Sequence, residues 1–227
     1  MEQNFDWKVF LQPYELAVEE FMLKMEGIKY QYQLAGLYCP IEIISGRVKT
    51  PNSILDKAKR MGVSFENINK QLYDLGGIRI TCKYLNDVYE VKELLTKRKD
   101  LEIQEIRDYI KNPKPSGYRS LHIIARYNVE TIKGTMPVVI EFQIRTHAMH
   151  FWASIEHSLK YKYQKQIPDE LKTRLICAAE AAKKLDEEMT NIRDTIKLYD
   201  EKKESNIGNL PDPFENEVSL FHNKLVK

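Results

Sequence analysis

The chain has 227 residues, of which 43% are hydrophobic, so it can bury one sizeable core but is short for several independent domains. Lysine and arginine total 35 against 33 acidic residues, and the net charge of +2 excludes the strongly basic balance of a protein that coats DNA. Any anion site must therefore come from local clustering of cations.

The cysteine content and the hydropathy of the chain indicate in which cellular compartment the protein resides. Cys39, Cys82 and Cys177 are odd in number and widely spaced, which argues against a disulfide framework and against a structural zinc site. The N-terminus shows no basic stretch followed by an apolar run, and nowhere do about 18 consecutive apolar residues occur. We expect a cytoplasmic protein without a membrane segment.

The first third of the chain shows helical periodicity. Apolar residues recur every three or four positions from Phe10 to Tyr32, which predicts an N-terminal helix over about 10–36 with Pro13 in its first turn. A second helix is punctuated by Thr50 as its cap and by Gly62 at its end. Pro51 then occupies the first helical position, which proline favours.

The pattern changes to period two after a third predicted helix over 64–75. Apolar residues alternate with polar ones over 78–84, which predicts a strand with one buried face. Asn86 or Asp87 can cap a helix that reaches Lys99. Three further strands are predicted at Leu101–Ile106, Leu121–Tyr127 and Val138–Arg145.

The last strand separates its side chains by chemistry. Alternation turns its apolar residues toward the core and places Glu141, Gln143 and Arg145 together on the opposite face. A helix with an apolar stripe over 149–159 follows, and a linker is predicted at 164–168. The strand therefore offers three polar side chains on one surface.

The C-terminal part predicts one long helix. Apolar residues alternate spacings of four and three over about 168–199, so this helix needs a partner, either the core of the chain or another subunit. Residues 200–227 are polar and are predicted to form a flexible tail. We expect a single domain over 1–199, of the α+β class, with a mixed sheet flanked by helices.

Four polar residues form a candidate phosphate-binding ridge. Lys49, Ser53, Lys57 and Arg60 are spaced four, four and three apart, which puts them on one face of the second helix. Three cations near a helix N-terminus can neutralise a polyphosphate. A solvated lysine-rich face is the alternative interpretation, and spacing alone favours it.

Two acidic residues are candidates for a metal site. Asp74 precedes Gly76-Gly77, and Glu141 lies in the middle of the last strand. Carboxylates on adjacent strands can hold Mg²⁺ and leave positions for substrate phosphates. Taken singly, each is better explained as a surface or ion-paired acid.

A tight turn carries an aromatic residue and a cation. In Ser116-Gly117-Tyr118-Arg119-Ser120, a tyrosine ring can stack on a base and an arginine can meet phosphate. An ordinary Pro/Gly loop with a core tyrosine explains the same residues equally well.

Taken together and in order, five segments resemble the synthetase domain of the RelA/SpoT family, and the likeness extends from about Phe10 to about Arg193. The closest likeness is to the stand-alone small alarmone synthetases. The segments are Gly46-Arg47-Val48-Lys49, Asp74-Leu75-Gly76-Gly77-Ile78-Arg79-Ile80, Ser116-Gly117-Tyr118-Arg119-Ser120-Leu121-His122, Glu141-Phe142-Gln143-Ile144-Arg145-Thr146 and Phe151-Trp152-Ala153-Ser154-Ile155-Glu156-His157.

The resemblance implies a nucleotidyltransferase-like mixed sheet flanked by helices, often assembled as a homotetramer. It implies a Mg²⁺-dependent transfer of pyrophosphate from ATP to the ribose 3′-hydroxyl of GDP or GTP, with AMP as the second product. No His-Asp dipeptide occurs in the sequence, so no companion hydrolase domain is expected.

The resemblance also implies a role for each matched residue. Asp74 and Glu141 would bind Mg²⁺, and Glu141 would also take the proton from the acceptor hydroxyl. The implied ATP-binding residues are Arg47, Lys49, Ser53, Lys57, Arg60 and Arg79, with the two outer arginines, Arg47 and Arg79, sandwiching the adenine. The implied residues for GDP or GTP are Tyr118 for the base and Arg107, Lys114, His122 and Gln143 for phosphates and ribose.

The chain departs from family members that are activated by their own product. Those members use basic residues on the first helix, where this chain has Met22 and Glu26 as well as Lys29. Ile43 replaces an aromatic residue and His150 replaces an asparagine. We therefore expect weak or absent activation by guanosine tetra- or pentaphosphate.

Two rival functions remain at this stage. A toxin-like relative would use the same scaffold to modify tRNA 3′ ends or adenosine nucleotides. A catalytically idle RNA-binding protein would keep the fold alone, although it would not need both Asp74 and Glu141. RNA binding is compatible with the sequence but is not indicated by it.

Overall fold

In the computed structural model, the described residues, 5–162 and 168–207, form six helices and one five-stranded sheet. The helices are α1 (Trp7–Leu34), α2 (Pro51–Met61), α3 (Ile68–Gln71), α4 (Leu85–Thr96), α5 (His147–Lys162) and α6 (Asp169–Ile207). The strands are β1 (Ile43–Val48), β2 (Gly76–Cys82), β3 (Leu101–Asp108), β4 (Leu121–Thr131) and β5 (Gly134–Thr146). The predicted α+β class, with helices flanking a sheet, is confirmed.

The sheet is mixed and has the order β1-β2-β5-β4-β3. Only β2 and β5 run parallel, while the other neighbouring pairs are antiparallel. The apolar residues of β5 face a core that α1 and α4 cover, and Ile140, Phe142 and Ile144 are fully buried there. The polar residues of the same strand therefore lie on the opposite face, as period two predicts.

Helix α1 begins earlier than predicted. The Asp6 carboxylate caps it by accepting hydrogen bonds from the backbone N–H groups of Lys8 and Val9 at 3.0 and 3.1 Å. Pro13 consequently lies inside the helix and not in its first turn, so that prediction was wrong. The predicted apolar stripe is nevertheless the buried face, with Phe21 and Met25 completely enclosed.

The second helix ends where its punctuation predicts, but the third is much shorter. Gly62 ends α2 in the left-handed conformation at φ 67°. A 3₁₀ turn and the short α3 replace the helix predicted over 64–75, because Leu72 is extended and the Leu75 carbonyl accepts a hydrogen bond from Lys49 N–H at 2.8 Å. This backbone bond places Asp74 beside Lys49, which precedes α2, and Lys57, which lies on it.

Strand β1 was not predicted from the sequence, and several strand ends differ from their predicted positions. Strand β1 is an edge strand of six residues whose alternation is masked by Ser45 and Gly46. Strand β3 continues two residues past its predicted end to Asp108, and β4 and β5 extend into a hairpin that turns at Gly134. Such extensions follow from pairing between strands, which a single strand's pattern does not reveal.

Helix α4 has a cap other than the predicted one. Tyr84 precedes the first helical residue, and Asp87 reaches back from the first turn so that its carboxylate accepts the Tyr84 N–H at 3.1 Å. The prediction that Asn86 or Asp87 is itself the cap was therefore wrong.

The chain divides into two units, 1–187 and 188–227, of which the first contains the sheet and the first half of α6. Helix α6 continues to Ile207, so the tail predicted from residue 200 begins as helix. The rest of that tail and nearly all of the predicted linker at 164–168 lie outside the described residues. Among the described helices, none combines the length and apolar character needed to cross a membrane.

We expect Gly46→Ala to destabilise the protein, because a Cβ at Gly46 would collide with the side chains of Val18 and Met22 on α1. Overpacking of this kind lowers the free energy of unfolding by ~1–3 kcal/mol. Gly27→Ala is the control, since nothing lies within 4 Å of its added Cβ and alanine favours the helix by about 1 kcal/mol. Urea unfolding that ranks the two variants in the reverse order would contradict this packing of β1 against α1.

Candidate active site

One row of side chains crosses all five strands on the face opposite the core. Directly paired residues of neighbouring strands point to the same face of a sheet. On the same face, Glu141 pairs with Gly77, which in turn pairs with Arg47. The register produces the row Ser45, Arg79, Gln143, His122 and Arg107.

This face opens into a cleft of about 570 Å³. An adjoining cavity of about 210 Å³ shares Asp74 and Glu141 with it. The charged residues that line the cleft are Arg47, Lys57, Arg79, Arg107, Lys114 and Arg145, which are cationic, and Asp74, Glu141 and Glu156, which are acidic. Positive groups therefore outnumber negative ones in a chain whose overall charge is almost balanced.

Asp74 is held by two lysines of the predicted ridge. Its Oδ2 atom makes ion pairs with Lys49 Nζ and, at 2.8 Å, with Lys57 Nζ. Burial alone would raise the pKa of Asp74, but the two lysines outweigh burial and hold that pKa below its usual range. Its Oδ1 atom is buried and has no hydrogen-bond partner among the described residues. A buried carboxylate oxygen without a partner fits a ligand for a cation.

Glu141 is fixed by two neighbours in the row. Its Oε1 atom lies 3.0 Å from His122 Nδ1, and its Oε2 atom accepts a hydrogen bond from Gln143 Nε2 at 2.8 Å. Burial again opposes ionisation, yet His122 and Gln143 keep the pKa of Glu141 below its usual range. Glu141 is therefore an ionised carboxylate at neutral pH, held in one orientation.

The arginines of the cleft repel one another. Burial lowers the pKa of Arg79, and the nearby charges of Arg145 and Arg47 lower it further. The Arg79 Nε atom is buried without a hydrogen-bond partner in the described part of the chain. Burial, together with the charges of Arg79 and Arg145, also lowers the pKa of His150. A cluster of this kind is stabilised when an anion enters it.

Tyr118 stands at the other end of the cleft. Its hydroxyl lies 2.8 Å from His122 Nε2 and accepts a hydrogen bond from Arg145 at 2.9 Å. Lys114 Nζ lies 4.9 Å from the centre of the Tyr118 ring. Arg107 is engaged with Glu105 through two hydrogen bonds of 2.6 Å. The ring and these two cations thus form one wall of the cleft.

Most of the predicted site residues meet in this cleft, but three, Lys49, Ser53 and Arg60, do not line it. Lys49 contacts Asp74 from behind, whereas Ser53 and Arg60 are exposed on α2 and are absent from the cleft lining. The Ser53 hydroxyl accepts a hydrogen bond from Thr50 at 2.9 Å. The ridge expected from spacing is therefore divided, with Lys49 and Lys57 directed toward Asp74.

The cleft contains residues to which the sequence analysis assigned no role. Arg145 donates hydrogen bonds to Tyr118 and Gln143, and period two had placed it on this face. Helix α5 supplies a wall through Ser154, Glu156 and His157. Helical spacing puts these α5 residues within one turn, but only the fold shows that the turn borders the sheet.

Fold and site together define a protein that binds phosphorylated ligands on the polar face of a mixed sheet. Residues 46–166 match the region found in RelA and SpoT proteins. The chain is 47% identical over 190 residues to the GTP pyrophosphokinase YjbM of Bacillus subtilis. The aligned region covers 84% of this chain and 90% of that protein. The chain therefore belongs to the RelA/SpoT family, and this prediction is confirmed.

Two solved structures agree with the fold. Small alarmone synthetase 1 from Bacillus subtilis bound to its product pppGpp has a TM-score of 0.81, 47% identity, and coverage of 84% of this chain and 97% of that chain. The same protein bound to AMPCPP has a TM-score of 0.75 and 42% identity, with the same coverage of 84% and 97%. This chain is therefore similar along most of its length to a protein solved with guanine and adenine nucleotides.

We expect Arg79→Met to weaken anion binding without destabilising the free protein. The substitution removes a half-buried cation that its neighbours repel, so the unfolding midpoint should stay equal or rise. A charge-assisted hydrogen bond contributes about 1.5–3 kcal/mol, so the Kd for tripolyphosphate should increase roughly ten- to hundredfold. Calorimetric titration at low salt measures this Kd.

Arg126→Met is the matched control, because Arg126 forms an exposed ion pair with Glu102 at 3.0 Å and does not line the cleft. It should leave tripolyphosphate binding unchanged. Equal affinity in Arg79→Met and in the unaltered protein would refute a phosphate-binding role for the cluster.

Proposed function

We propose that this protein transfers the β,γ-pyrophosphoryl group of ATP to the ribose 3′-hydroxyl of GDP or GTP and releases AMP. The chain is a GTP pyrophosphokinase by its family and by its identity to YjbM. The observation that carries the reaction is that Asp74 and Glu141 line one cleft together with an excess of cations.

The donor half of the proposed site lies at the β1 and β2 side of the cleft. Arg47 and Arg79 line both cavities, and their planar guanidinium groups are suited to stacking on adenine. Lys57 and Lys49 would hold the phosphates. Phosphate binding would draw the ammonium groups of both lysines away from Asp74. Ser53 and Arg60 keep a role in this proposal only if α2 shifts toward the nucleotide.

Asp74 and Glu141 would hold Mg²⁺. Hard carboxylate oxygens suit this ion, and the Asp74 Oδ1 atom, which is buried and has no partner within residues 5–162 and 168–207, fits a metal ligand. When bound, the ion would neutralise phosphate charge as the bond to the leaving group weakens. Both carboxylates are ionised at neutral pH, because their partners lower the pKa of each.

The acceptor half of the proposed site surrounds Tyr118. Its ring is placed to stack on guanine once the Lys114 ammonium leaves it for the acceptor phosphates. Arg107 would exchange Glu105 for a phosphate, which is a stronger bidentate partner. Gln143 and His122 lie in the row beside Glu141, where the ribose would sit.

The chemical step requires alignment more than a strong base. The Glu141 carboxylate takes the proton of the 3′-hydroxyl, the new bond forms between that oxygen and the β-phosphorus, and the bond from the β-phosphorus to the oxygen of AMP breaks. Phosphoryl transfer of this kind passes through a loose transition state, so positioning and charge neutralisation carry most of the rate. His122 and Gln143 hold Glu141 in place for this proton transfer.

We extend the proposal to assembly, regulation and location. Large apolar side chains are exposed on α1, among them Leu23 and Leu34, and such patches mark interfaces. They support a homo-oligomer, with a tetramer favoured by resemblance.

Weak activation by product stays a prediction that rests on Met22, Glu26, Ile43 and His150. Cytoplasmic location also stays a prediction.

We expect the label of γ-³²P-ATP to be transferred to GDP and GTP. We expect no transfer to GMP, to tRNA or to a second ATP molecule offered as the acceptor. Glu141→Gln should reduce the rate at least a hundredfold while leaving the circular dichroism spectrum intact, because general base catalysis alone contributes 10²–10⁴. Glu130→Gln, which changes an exposed glutamate on the β4–β5 hairpin, is the matched control.

Thin-layer separation of the labelled products distinguishes the alternatives. Label on tRNA or on an adenosine nucleotide would support the toxin-like rival, and no label on any acceptor would support an idle binding protein. Full turnover by Glu141→Gln would remove its assignment as the base.

A further inference from the structure

The loop that carries Tyr118 packs directly on helix α6. Gly117 has φ 88°, and a Cβ added there would lie 2.6 Å from the Cβ of Ala179 on α6. The same atom would lie 3.6 Å from the Trp152 ring on α5. The small glycine and alanine thus let the loop backbone approach the helix closely.

A buried ion pair fastens the same loop to the same helix. Arg119, the residue after Tyr118, donates a hydrogen bond from Nη1 to Asp186 Oδ2 at 3.2 Å. The two side chains are only 7% and 5% exposed. Burial raises the pKa of Asp186, although Thr146 and Arg119 counteract it. The pair is therefore almost fully removed from water.

Helix α6 also holds the opposite wall of the cleft. The Trp152 indole N–H on α5 donates a hydrogen bond to the Leu175 carbonyl at 2.9 Å. Thr146, at the end of β5, hydrogen-bonds to Asp186 and accepts the Met149 N–H of α5 at 3.2 Å. One helix thus contacts the Tyr118 loop, the end of β5 and the start of α5.

None of the described residues of α6 lines the cleft itself. Their effect on it must therefore pass through the loop and through α5. A buried ion pair is weak evidence for stability, because apolar residues of similar volume are often as stable or more so. The presence of this ion pair is better explained by its effect on conformation, because it holds the neighbouring residues in a single orientation.

We propose that Arg119 and Asp186 are positioning residues, and that the first half of α6 is a structural part of the acceptor site. The helix holds the loop so that the Tyr118 ring faces the acceptor base. This inference rests on the proposed function, because it takes Tyr118 as the residue that contacts guanine. The proposed donor residues lie on or next to β1, α2 and β2, and the ion pair joins the Tyr118 loop to α6, so ATP binding should be unaffected.

Asp186→Asn tests the proposal. It keeps the shape of the side chain but leaves the Arg119 charge buried and unpaired, so the loop should lose its orientation. We expect the KM for GDP and GTP to rise at least tenfold, with the KM for ATP changed less than twofold. Asp169→Asn is the control, because Asp169 makes an exposed ion pair with Lys172 at 2.8 Å on the same helix.

A second variant separates positioning from stability. Arg119→Met combined with Asp186→Leu should unfold at a midpoint close to that of the unaltered protein and should still show the raised acceptor KM. A purely structural role predicts that both quantities recover together. Unchanged acceptor KM in folded Asp186→Asn, or an equal rise for ATP, would overturn the proposal.

The same assay distinguishes failure of this inference from failure of the proposed function. If the unaltered protein labels no guanine nucleotide, the proposed function fails. If it does so normally and Asp186→Asn matches it, only the positioning role fails.

Discussion

Repulsion among cations on one face of the sheet is the constraint on which the rest of the site depends. Arg47 and Arg145 lie close enough to Arg79 to lower its pKa, and water screens this repulsion less because Arg145 is buried and Arg79 is half-buried. The few carboxylates of the cleft do not balance this charge. The free protein therefore stores unfavourable electrostatic energy that phosphate groups relieve on binding.

The fold supplies the stability that such a face requires. Ile140, Phe142 and Ile144 are buried beneath α1 and α4 on one side of β5, while Glu141 and Gln143 occupy the other side of the same strand. The apolar alternation thus fixes the register, and a shift by one residue would turn every polar side chain into the core. The same alternation that builds the core therefore aligns the site.

The carboxylates show how this arrangement leads from binding to chemistry. Asp74 is shared between two lysines through one oxygen, and its other oxygen has no hydrogen-bond partner in the described part of the chain. Glu141 is oriented by His122 and Gln143. Neighbouring cations and hydrogen bonds keep both groups ionised despite burial. Pre-oriented charges of this kind need little reorganisation during a reaction.

Sequence alone predicted those parts of the fold that depend on local patterns. The cap and end of α2 follow from Thr50 and Gly62, and the two faces of β5 follow from alternation. Grouping of the site residues required the resemblance, because no spacing relates Asp74 to Glu141. Their meeting follows from parallel pairing of β2 with β5, a long-range contact that local propensity does not encode.

The errors have a common physical origin in tertiary contacts. The helix predicted over 64–75 gave way to extended chain because the Leu75 carbonyl pairs with Lys49 N–H at the sheet edge. Arg107 joined the row because β3 gained two residues by pairing with β4. Arg119, which the sequence suggested as a possible phosphate contact, is instead buried and paired with Asp186, because a contact between residues 67 positions apart leaves no local pattern.

A crystal structure with Mn²⁺ and the non-hydrolysable ATP analogue AMPCPP tests the central claim most directly. The account predicts an anomalous peak at ~2.1 Å from carboxylate oxygens of both Asp74 and Glu141, with the triphosphate against Lys57 and the adenine against Arg79. Ordered nucleotide with no peak between these two carboxylates, or with its phosphates away from the cationic face, would contradict it.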